Sequence, residues 1–516
     1  MITLDGQSLT LDELVAIAHG DAIEVSAPAR DRVAASRRVV DEFAEHDDPA
    51  YGINTGFGDF AEVRIPHDSL RELQVNLLRS HAAGVGDPLP VPVVRATMAL
   101  RANVLAKGFS GIRLETLDLL VAMANRGVIP VVPSRGSVGA SGDLAPLAHL
   151  ALVLIGEGYA TIEAPIAGRG SPATDGPLPL TGREALARAG LKPVGLAPKE
   201  GLALINGTQP STALLGLAFA GAEQLARAAD IAAALSIDGL QGSTKPFGPR
   251  IHAARAFTGQ ALVAANLTRL LANSPINTAH ANCGRVQDAY SMRCAPQVHG
   301  TARDAFAHAH RVFDIEANAA TDNPMVFADT REIVSGGNFH GAPVSVAADL
   351  LCLGLVQLAT ISERRADRLV NPASSGLPAF LTRHGGLQSG LMLAQVTAAA
   401  LTSELKTLAH PASVDTIPTS GNREDHVSMS MAAGLKAWRA VDLARHVVAI
   451  ELLCAAQAID LLQPLESSTP LMQVQRAIRA RVPTLEHDRP PSPDIAVIAA
   501  MIESGAVERA TAGKVN

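Results

Sequence analysis

Apolar side chains recur through most of the chain at the spacing of three and four residues that is typical of helices. Near the N-terminus this spacing predicts helices over residues 70–83 and 91–105. Further along, longer apolar stretches with few helix breakers predict helices that bury more than one face inside a bundle. These stretches lie at residues 213–235, 346–370, 391–408 and 436–462.

Glycine, proline and polar residues interrupt the helical pattern. Glycine is dense in two loops, at residues 51–58 and 136–142. The stretch 157–200 is rich in proline and glycine, so it cannot remain helical and is expected to form a surface excursion. Polar, glycine-bearing connectors are expected at residues 287–300, 321–341 and 419–428.

This pattern predicts a mainly α fold with three consecutive parts. They are an N-terminal mixed domain (1–200) that carries the glycine-dense loops, a central long-helix bundle (201–470) and a C-terminal helical tail (471–516). Composition agrees, since Ala and Leu dominate while aromatic residues make up only 3% of the 516 positions. Ala and Leu favour helices, whereas aromatic and β-branched residues favour strands.

Charge and residue spacing exclude several classes of partner. The net charge of −7 argues against the basic surface with which proteins neutralise nucleic-acid phosphates. No spacing typical of a metal site is found, and His308 and His310 would lie on different faces of a helix. No apolar run reaches the roughly 18 residues of a membrane span, the nearest candidate being 144–156. Four cysteines without a C-x-x-C pair, and a first segment unlike a secretory signal, predict mostly buried thiols in a cytoplasmic protein.

The segment Gly136-Ser-Val-Gly-Ala-Ser-Gly-Asp-Leu-Ala-Pro-Leu147 has the most distinctive chemistry. Within it, Gly142 offers an unhindered backbone nitrogen that a tight turn can press against the carbonyl carbon of Ala140. Closure of a five-membered ring, loss of water from it and then loss of water from the Ser141 side chain would leave a conjugated methylene group. Ordinary side chains supply no comparable electrophile, and Asp143 is placed to assist the proton transfers.

This segment resembles the self-processing loop of the histidine, phenylalanine and tyrosine ammonia-lyase family. The resemblance implies that Ala140, Ser141 and Gly142 form a 4-methylidene-imidazol-5-one group, with no metal or nucleotide cofactor. It also implies a fumarase/aspartase-like helical architecture and a homotetramer with active sites shared between subunits.

Other segments resemble motifs of the same family, so the likeness extends from about residue 51 to residue 428. Tyr51 corresponds to the catalytic base, and its loop only superficially matches a dinucleotide motif (Gly56-x-Gly58-x-x-Ala61), since no βαβ pattern surrounds it. Arg293 has the fork geometry that holds a substrate carboxylate. The remaining family-like pocket residues are Asn206, Gln287, Tyr290 and Phe339.

Two residues favour histidine as the substrate. His81, in a loop that resembles the histidine-lyase form, can hydrogen-bond a polar ring, although some tyrosine lyases and aminomutases share it. Glu424 resembles the glutamate that histidine lyases present to the imidazole. Two departures bear on the substrate: Arg423 replaces a neutral amide and would hold Glu424 ionised or bind an anionic group, and Gln388 replaces an asparagine.

The resemblance therefore implies that the chain eliminates ammonia from L-histidine to give trans-urocanate, as in histidine catabolism. Tyrosine or phenylalanine elimination, an aminomutase reaction and a lyase acting on a modified histidine remain alternatives within the family. An inactive helical homologue that serves as a scaffold is the alternative from another class.

Overall fold

A computed structural model of the protein describes residues 1–45, 49–56, 60, 62–163 and 179–516. Helix makes up 60% of the structure and strand 7%, which confirms the mainly α fold class. The first helices are α1 Leu11–Ala18, α2 Ala27–Glu45, α3 Leu70–His81, α4 Val91–Ala106, α5 Leu114–Asn125, α6 Leu144–Leu154, α7 Gly182–Arg188 and α8 Glu200–Ile205. The helices that follow are α9 Gln209–Gly239, α10 Pro249–Ala253, α11 Thr258–Leu270, α12 Pro275–Ala279, α13 Tyr290–Arg293, α14 Ala295–Glu316, α15 Ala342–Val370, α16 Pro372–Ser375, α17 Met392–Leu408, α18 Ser430–Leu461, α19 Thr469–Arg479, α20 Pro491–Glu503 and α21 Ala506–Arg509.

The strands are short and form small separate sheets. They are β1 Ile2–Leu4, β2 Ile23–Val25, β3 Val85–Pro88, β4 Val128–Pro130, β5 Pro133–Arg135, β6 Tyr159–Ile162, β7 Leu180–Thr181, β8 Met325–Phe327 and β9 Glu332–Val334. Strands β1 and β2 pair in parallel, with Ile2 opposite Ile23. The pairs β3–β5 and β8–β9 and the three-stranded sheet β4-β6-β7 are antiparallel.

The helices expected from apolar spacing are confirmed as α3, α4, α9, α15, α17 and α18. The expectation that 157–200 contains no helix is wrong for α7. Thr181 accepts a hydrogen bond from the Glu184 N–H while the Glu184 carboxylate accepts one from the Thr181 N–H, so a capping box starts this helix. Residues 183–188 are Arg, Glu, Ala, Leu, Ala and Arg, which favour helices, and the prolines of the stretch lie outside them. The connector at 287–300 is also shorter than expected, because α13 and the start of α14 lie within it.

The contacts group the chain into two compact units, each built from three separate stretches. Unit 1 contains residues 1–217, 310–348 and 411–435, and unit 2 contains residues 218–309, 349–410 and 436–516. These units do not follow the three consecutive parts expected from the sequence (1–200, 201–470 and 471–516), because the chain leaves and re-enters each unit.

Each unit has its own buried core. In unit 1, Val39 and Val40 of α2 pack with Ile53 and Val326. In unit 2, small residues let α9 and α18 approach closely: a Cβ on Gly239 would lie 3.1 Å from the Ala458 Cβ. Close packing of this kind depends on small side chains, which the Ala-rich composition supplies.

The helix α15 is the one in the described part of the chain that is long and apolar enough to cross a membrane, with a mean hydropathy of 2.0 over 18 residues. It replaces 144–156 as the nearest candidate. However, 67% of that stretch is buried within the protein, as expected for a core helix. Of the four cysteines, Cys352 and Cys454 are buried and Cys283 is exposed, so the expectation of mostly buried thiols holds for only half of them.

Candidate active site

The loop Ser137–Asp143 is held in a tight turn by its own side chains. The Ser137 hydroxyl donates to the Asp143 carboxylate over 2.7 Å and accepts from the Gly139 N–H over 3.1 Å. Asp143 is fully buried and also accepts a 2.9 Å hydrogen bond from the Ser211 N–H in the first turn of α9. Burial raises the pKa of the Asp143 carboxyl above its ordinary value, against the hydrogen bonds from Ser137 and Ser211.

Gly142 stands at a position that only glycine fits. Its φ is +70°, and a Cβ there would lie 2.1 Å from the Gly207 carbonyl oxygen. The same oxygen accepts a 2.7 Å hydrogen bond from the Asp143 N–H. The turn is therefore packed directly on the backbone that follows α8.

Asn206 lies at the end of α8, beside that contact. Its Nδ2 donates to the Asn323 carbonyl over 3.0 Å, while its buried Oδ1 has no hydrogen-bond partner among the described residues. A buried, unpaired amide oxygen is costly, so it is well suited to accept a hydrogen bond from a group that binds here.

Ser141 meets Glu424 across the site. The Ser141 hydroxyl donates to the Glu424 Oε1 over 2.7 Å, and Oε2 accepts from the Thr419 and Ser420 hydroxyls over 2.6 and 2.9 Å. Burial alone would raise the pKa of Glu424, but the hydrogen bonds from Thr419, Ser141 and Ser420 lower it below its ordinary value, and a protonated His81 would lower it further. Glu424 is thus a half-buried carboxylate that stays ionised.

His81, the last residue of α3, is close enough to Glu424 for the carboxylate charge to affect its pKa. Its Nδ1 lies 2.9 Å from the Leu77 carbonyl oxygen, which can only accept, so Nδ1 carries a proton. Burial lowers the pKa of His81, against the Leu77 carbonyl and the Glu424 charge. The neutral ring therefore presents Nε2 as a hydrogen-bond acceptor.

Two further segments contact the loop Ser137–Asp143. The Gly139 carbonyl accepts hydrogen bonds from the Gly341 N–H (3.2 Å) and the Ser428 hydroxyl (2.9 Å). Phe339 lies half-buried two residues before Gly341. Hence the segment that carries Phe339, the segment that carries Glu424 and the loop that carries Ser141 meet in unit 1.

Tyr51 also belongs to unit 1, where it begins a turn anchored by its neighbours. The Ala50 N–H donates to the Asn54 side chain over 2.7 Å, and Ala50 and Ile53 are buried in the α2 core. Tyr51 itself is half-buried. Gly58 and Ala61 of the same sequence motif lie outside the described residues. The role of Tyr51 as a base stays a prediction.

Gln287, Tyr290 and Arg293 belong to unit 2. Gln287 is exposed, and Tyr290 is 71% exposed although it is aromatic. The Arg293 guanidinium carbon lies 4.7 Å from the centroid of the Tyr290 ring, a cation–π contact. The Arg293 Nε is buried and has no hydrogen-bond partner among the described residues. Their roles toward a substrate also stay predictions.

The two departures from the family pattern occupy different surroundings. Arg423 is exposed next to Glu424, and the largest causes that keep Glu424 ionised are hydroxyl hydrogen bonds rather than this guanidinium. Gln388, in unit 2, accepts from the Thr382 hydroxyl over 2.8 Å and its Nε2 lies 3.1 Å from His487 Nδ1. Gln388 therefore has contacts within unit 2 that account for its polarity.

Sequence reasoning missed Thr419 and Ser420. Nothing in their local spacing marks them, because the turn that brings them to Glu424 is unusual: Ser420, Gly421 and Asn422 all have left-handed backbone angles. A short antiparallel bridge between Thr419 and Glu424 brings the two hydroxyls within hydrogen-bond distance of the carboxylate. The sequence indicates this turn only through its consecutive Ser, Gly and Asn residues, which are common in turns.

Comparison with known proteins adds a second line of observation. A family model described as aromatic amino acid lyase matches residues 9–480. A histidine ammonia-lyase from Anaeromyxobacter sp. (strain K) is 57% identical over 511 residues, which cover 98% of this chain and 99% of that relative.

Solved structures agree with the helical fold. The crystal structure of histidine ammonia-lyase from Trypanosoma cruzi has a TM-score of 0.91 at 44% identity, covering 100% of this chain and 96% of that chain. The crystal structure of tyrosine aminomutase from Streptomyces globisporus has a TM-score of 0.92 at 36% identity, covering 100% and 99%. These matches confirm the expected fumarase/aspartase-like helical architecture. The chain belongs to the aromatic amino acid lyase family of carbon–nitrogen lyases.

Proposed function

We propose that this chain eliminates ammonia from L-histidine to give trans-urocanate, using a 4-methylidene-imidazol-5-one group formed from Ala140, Ser141 and Gly142. The observation that carries the proposal is the 2.7 Å hydrogen bond between Ser141 and Glu424. It joins the precursor of the electrophile to a carboxylate suited to an imidazole N–H. Relatives named histidine ammonia-lyase over nearly the full chain support the same substrate.

The surroundings of Ser141 fit a group of this kind. Gly142 has no room for a side chain, and Asp143 is a buried carboxyl whose pKa is raised by burial. Asn206 Oδ1, which has no hydrogen-bond partner in the described part of the chain, is available to a ring N–H or a substrate. When formed, the group supplies an electrophilic carbon that makes ammonia a better leaving group. Asn206 and Phe339 would hold it within the loop.

The substrate ring would lie between two fixed polar groups. Glu424 accepts an imidazole N–H, and the neutral His81 offers Nε2 as a second acceptor. A bare phenyl ring has no polar hydrogen to donate to either half-buried acceptor, whereas an imidazole donates at least one N–H. This arrangement favours a polar ring.

The remaining roles come from the family resemblance. Tyr51 removes the β-proton, Arg293 binds the carboxylate, and Tyr290 and Gln287 position the amino acid. A phenol with an ordinary pKa of about 10 is a weak base at neutral pH, so its surroundings must assist this step. Arg423 is placed to influence ligands with an additional negative group.

We also propose a cytoplasmic homotetramer whose active sites combine residues of different subunits. Large apolar side chains remain exposed in a single chain, among them Val286 (95%) and Leu387 (90%). Such exposure is common where a subunit interface covers the surface. Light scattering after size-exclusion chromatography tests this, and a stable, active monomer would contradict it.

A tyrosine aminomutase is the second candidate. The acceptor Nε2 of His81 can bind a phenol as well as an imidazole, and the tyrosine aminomutase structure has a TM-score of 0.92. Purified protein should be given L-histidine, L-tyrosine and L-phenylalanine in parallel, with urocanate followed by ultraviolet absorbance and β-amino acids by NMR. A Ser141→Ala variant is the matched control without the electrophile.

Rapid urocanate formation that depends on Ser141 would support the proposal. Turnover of tyrosine, with β-tyrosine as product and no urocanate, would replace it with the aminomutase. An absence of turnover together with an unprocessed Ser141 would favour the inactive scaffold.

A further inference from the structure

Arg101, on α4, is wholly buried in unit 1. It donates from Nη1 to the Asn206 carbonyl and to the Gln209 Oε1, both over 2.7 Å, and from Nη2 to the Ala203 carbonyl. Buried charges are normally paired with opposite charges. All three of its hydrogen bonds end on neutral oxygens, at the end of α8 and on the first residue of α9, although the Asp322 carboxylate attracts the guanidinium. The position of this cation therefore needs an explanation.

Gly207 lies between this guanidinium and the electrophile loop. A Cβ on Gly207 would lie 2.7 Å from the Arg101 Nη1, and a Cβ on Gly142 would lie 2.7 Å from the Gly207 Cα. Gly207 has a φ of +145°, and its carbonyl accepts the Asp143 N–H. The order of layers is thus Arg101, then Gly207, then Gly142.

We infer that Arg101 is a positioning residue for ring closure, because it fixes the Asn206–Gly207 backbone against which Gly142 turns. The inference rests on the proposed electrophile. In that step the Gly142 nitrogen bonds to the Ala140 carbonyl carbon. The Ala140 oxygen leaves as water with the protons of the Gly142 and Ser141 amides, and the Ser141 hydroxyl leaves as a second water with the Ser141 Cα proton.

Two properties of Arg101 suit this role. Its planar guanidinium reaches two backbone carbonyls and one side-chain amide oxygen at once, which the compact ammonium group of a lysine does not. Burial lowers the pKa of Arg101 to about 10, against the attraction of Asp322, so it remains charged at neutral pH. A fixed positive charge at carbonyl oxygens also strengthens those hydrogen bonds.

The same helix offers a matched control. Arg95 is 4% exposed and binds the carbonyls of Ile17 (3.0 Å) and Ala124 (3.2 Å), with Glu163 nearby at 3.4 Å. Like Arg101, it is a buried arginine that donates to backbone carbonyls, but those carbonyls belong to Ile17 and Ala124 rather than to the backbone beside residues 140–142. A change there tests the general cost of losing a buried guanidinium.

The experiment compares the full chain with Arg101→Met, Arg101→Lys and Arg95→Met. Mass spectrometry of the peptide that contains residues 140–142 measures the fraction lighter by two waters, and circular dichroism measures folding. We expect the parent and Arg95→Met to be fully processed, while Arg101→Met is folded and mostly unprocessed. Full processing of folded Arg101→Met would overturn the inference.

If Arg101→Met does not fold, Arg101→Lys decides. After cell-free synthesis, its folded chains should gain the two-water deficit more slowly than the parent, and a parental rate would overturn the inference. A parent chain without the deficit would instead overturn the proposed electrophile itself, so the two failures are distinguishable.

Discussion

The Ser141 hydroxyl donates a 2.7 Å hydrogen bond to Glu424, although 283 positions separate the two residues in sequence. The same carboxylate accepts hydrogen bonds from the Thr419 and Ser420 hydroxyls and interacts electrostatically with His81. One acidic group therefore connects the electrophile loop with the side of the site that favours a polar substrate ring.

Replacing Gly142 with alanine should prevent electrophile formation. The added Cβ would lie 2.1 Å from the Gly207 oxygen, at a φ of +70° that alanine rarely adopts. We expect the peptide to keep its full mass and turnover to fall by more than about a thousandfold, since most of the rate enhancement depends on the electrophile. Mass spectrometry and the urocanate assay measure both effects.

Gly195→Ala is the control for this variant. Gly195 is in the same unit, and no atom of the described residues lies within 4 Å of its Cβ position. It should be processed and active like the parent. A processed Gly142→Ala chain would contradict the packing argument.

Removing the hydroxyls around Glu424 should shift the pH dependence of kcat/KM. These hydrogen bonds lower the pKa of Glu424, so in the parent the carboxylate stays ionised as the pH falls. In Thr419→Val with Ser420→Ala the pKa rises, and the acid limb of the profile should move to higher pH. Activity at mildly acidic pH should fall more than activity at neutral pH.

Thr416→Val is a matched control in the same loop, because the Thr416 hydroxyl accepts the Val427 N–H over 2.9 Å rather than contacting Glu424. Its acid limb should coincide with that of the parent. An unchanged limb in the double variant would mean that ionised Glu424 does not limit the reaction.

Much of this architecture could be predicted from the sequence, and the exceptions have physical reasons. Apolar spacing is local, so it predicts helices such as α15 and α18. The helix α7 was missed because the prolines and glycines of 157–200 hid a short run of helix formers that begins at a capping box. The contacts of Glu424 depend on a left-handed turn, and those of Arg101 on residues more than 100 positions away, so neither follows from local spacing.

Tyr51→Phe should separate electrophile formation from catalysis. Tyr51 is on a turn anchored by Ala50, Ile53 and Asn54, so loss of its hydroxyl should leave the fold and the two-water deficit intact. Turnover should fall roughly 10²–10⁴-fold if the phenol is the base. Tyr159→Phe, on the exposed end of β6, is the control and should be fully active. Near-parental turnover in Tyr51→Phe would exclude this role.

Arg293→Lys should weaken the binding of carboxylate-bearing ligands only. The Arg293 guanidinium carbon lies 4.7 Å from the centroid of the Tyr290 ring, and its buried Nε has no hydrogen-bond partner among the described residues, so the guanidinium is not held by an ion pair through Nε. Lysine keeps the charge but loses the fork, and the loss of a charge-assisted hydrogen bond should raise the KM for histidine about 10- to 100-fold.

Histamine makes this test selective, because it has the imidazole and amine of histidine without the carboxylate. Its inhibition constant should be the same for the parent and Arg293→Lys, while that of urocanate should rise with the KM. Arg285→Lys, whose arginine pairs with Asp288 at 3.1 Å in the same loop, should change neither constant. Equal weakening of histamine and urocanate would mean that Arg293 shapes the whole pocket, and an unchanged KM would mean that another cation binds the carboxylate.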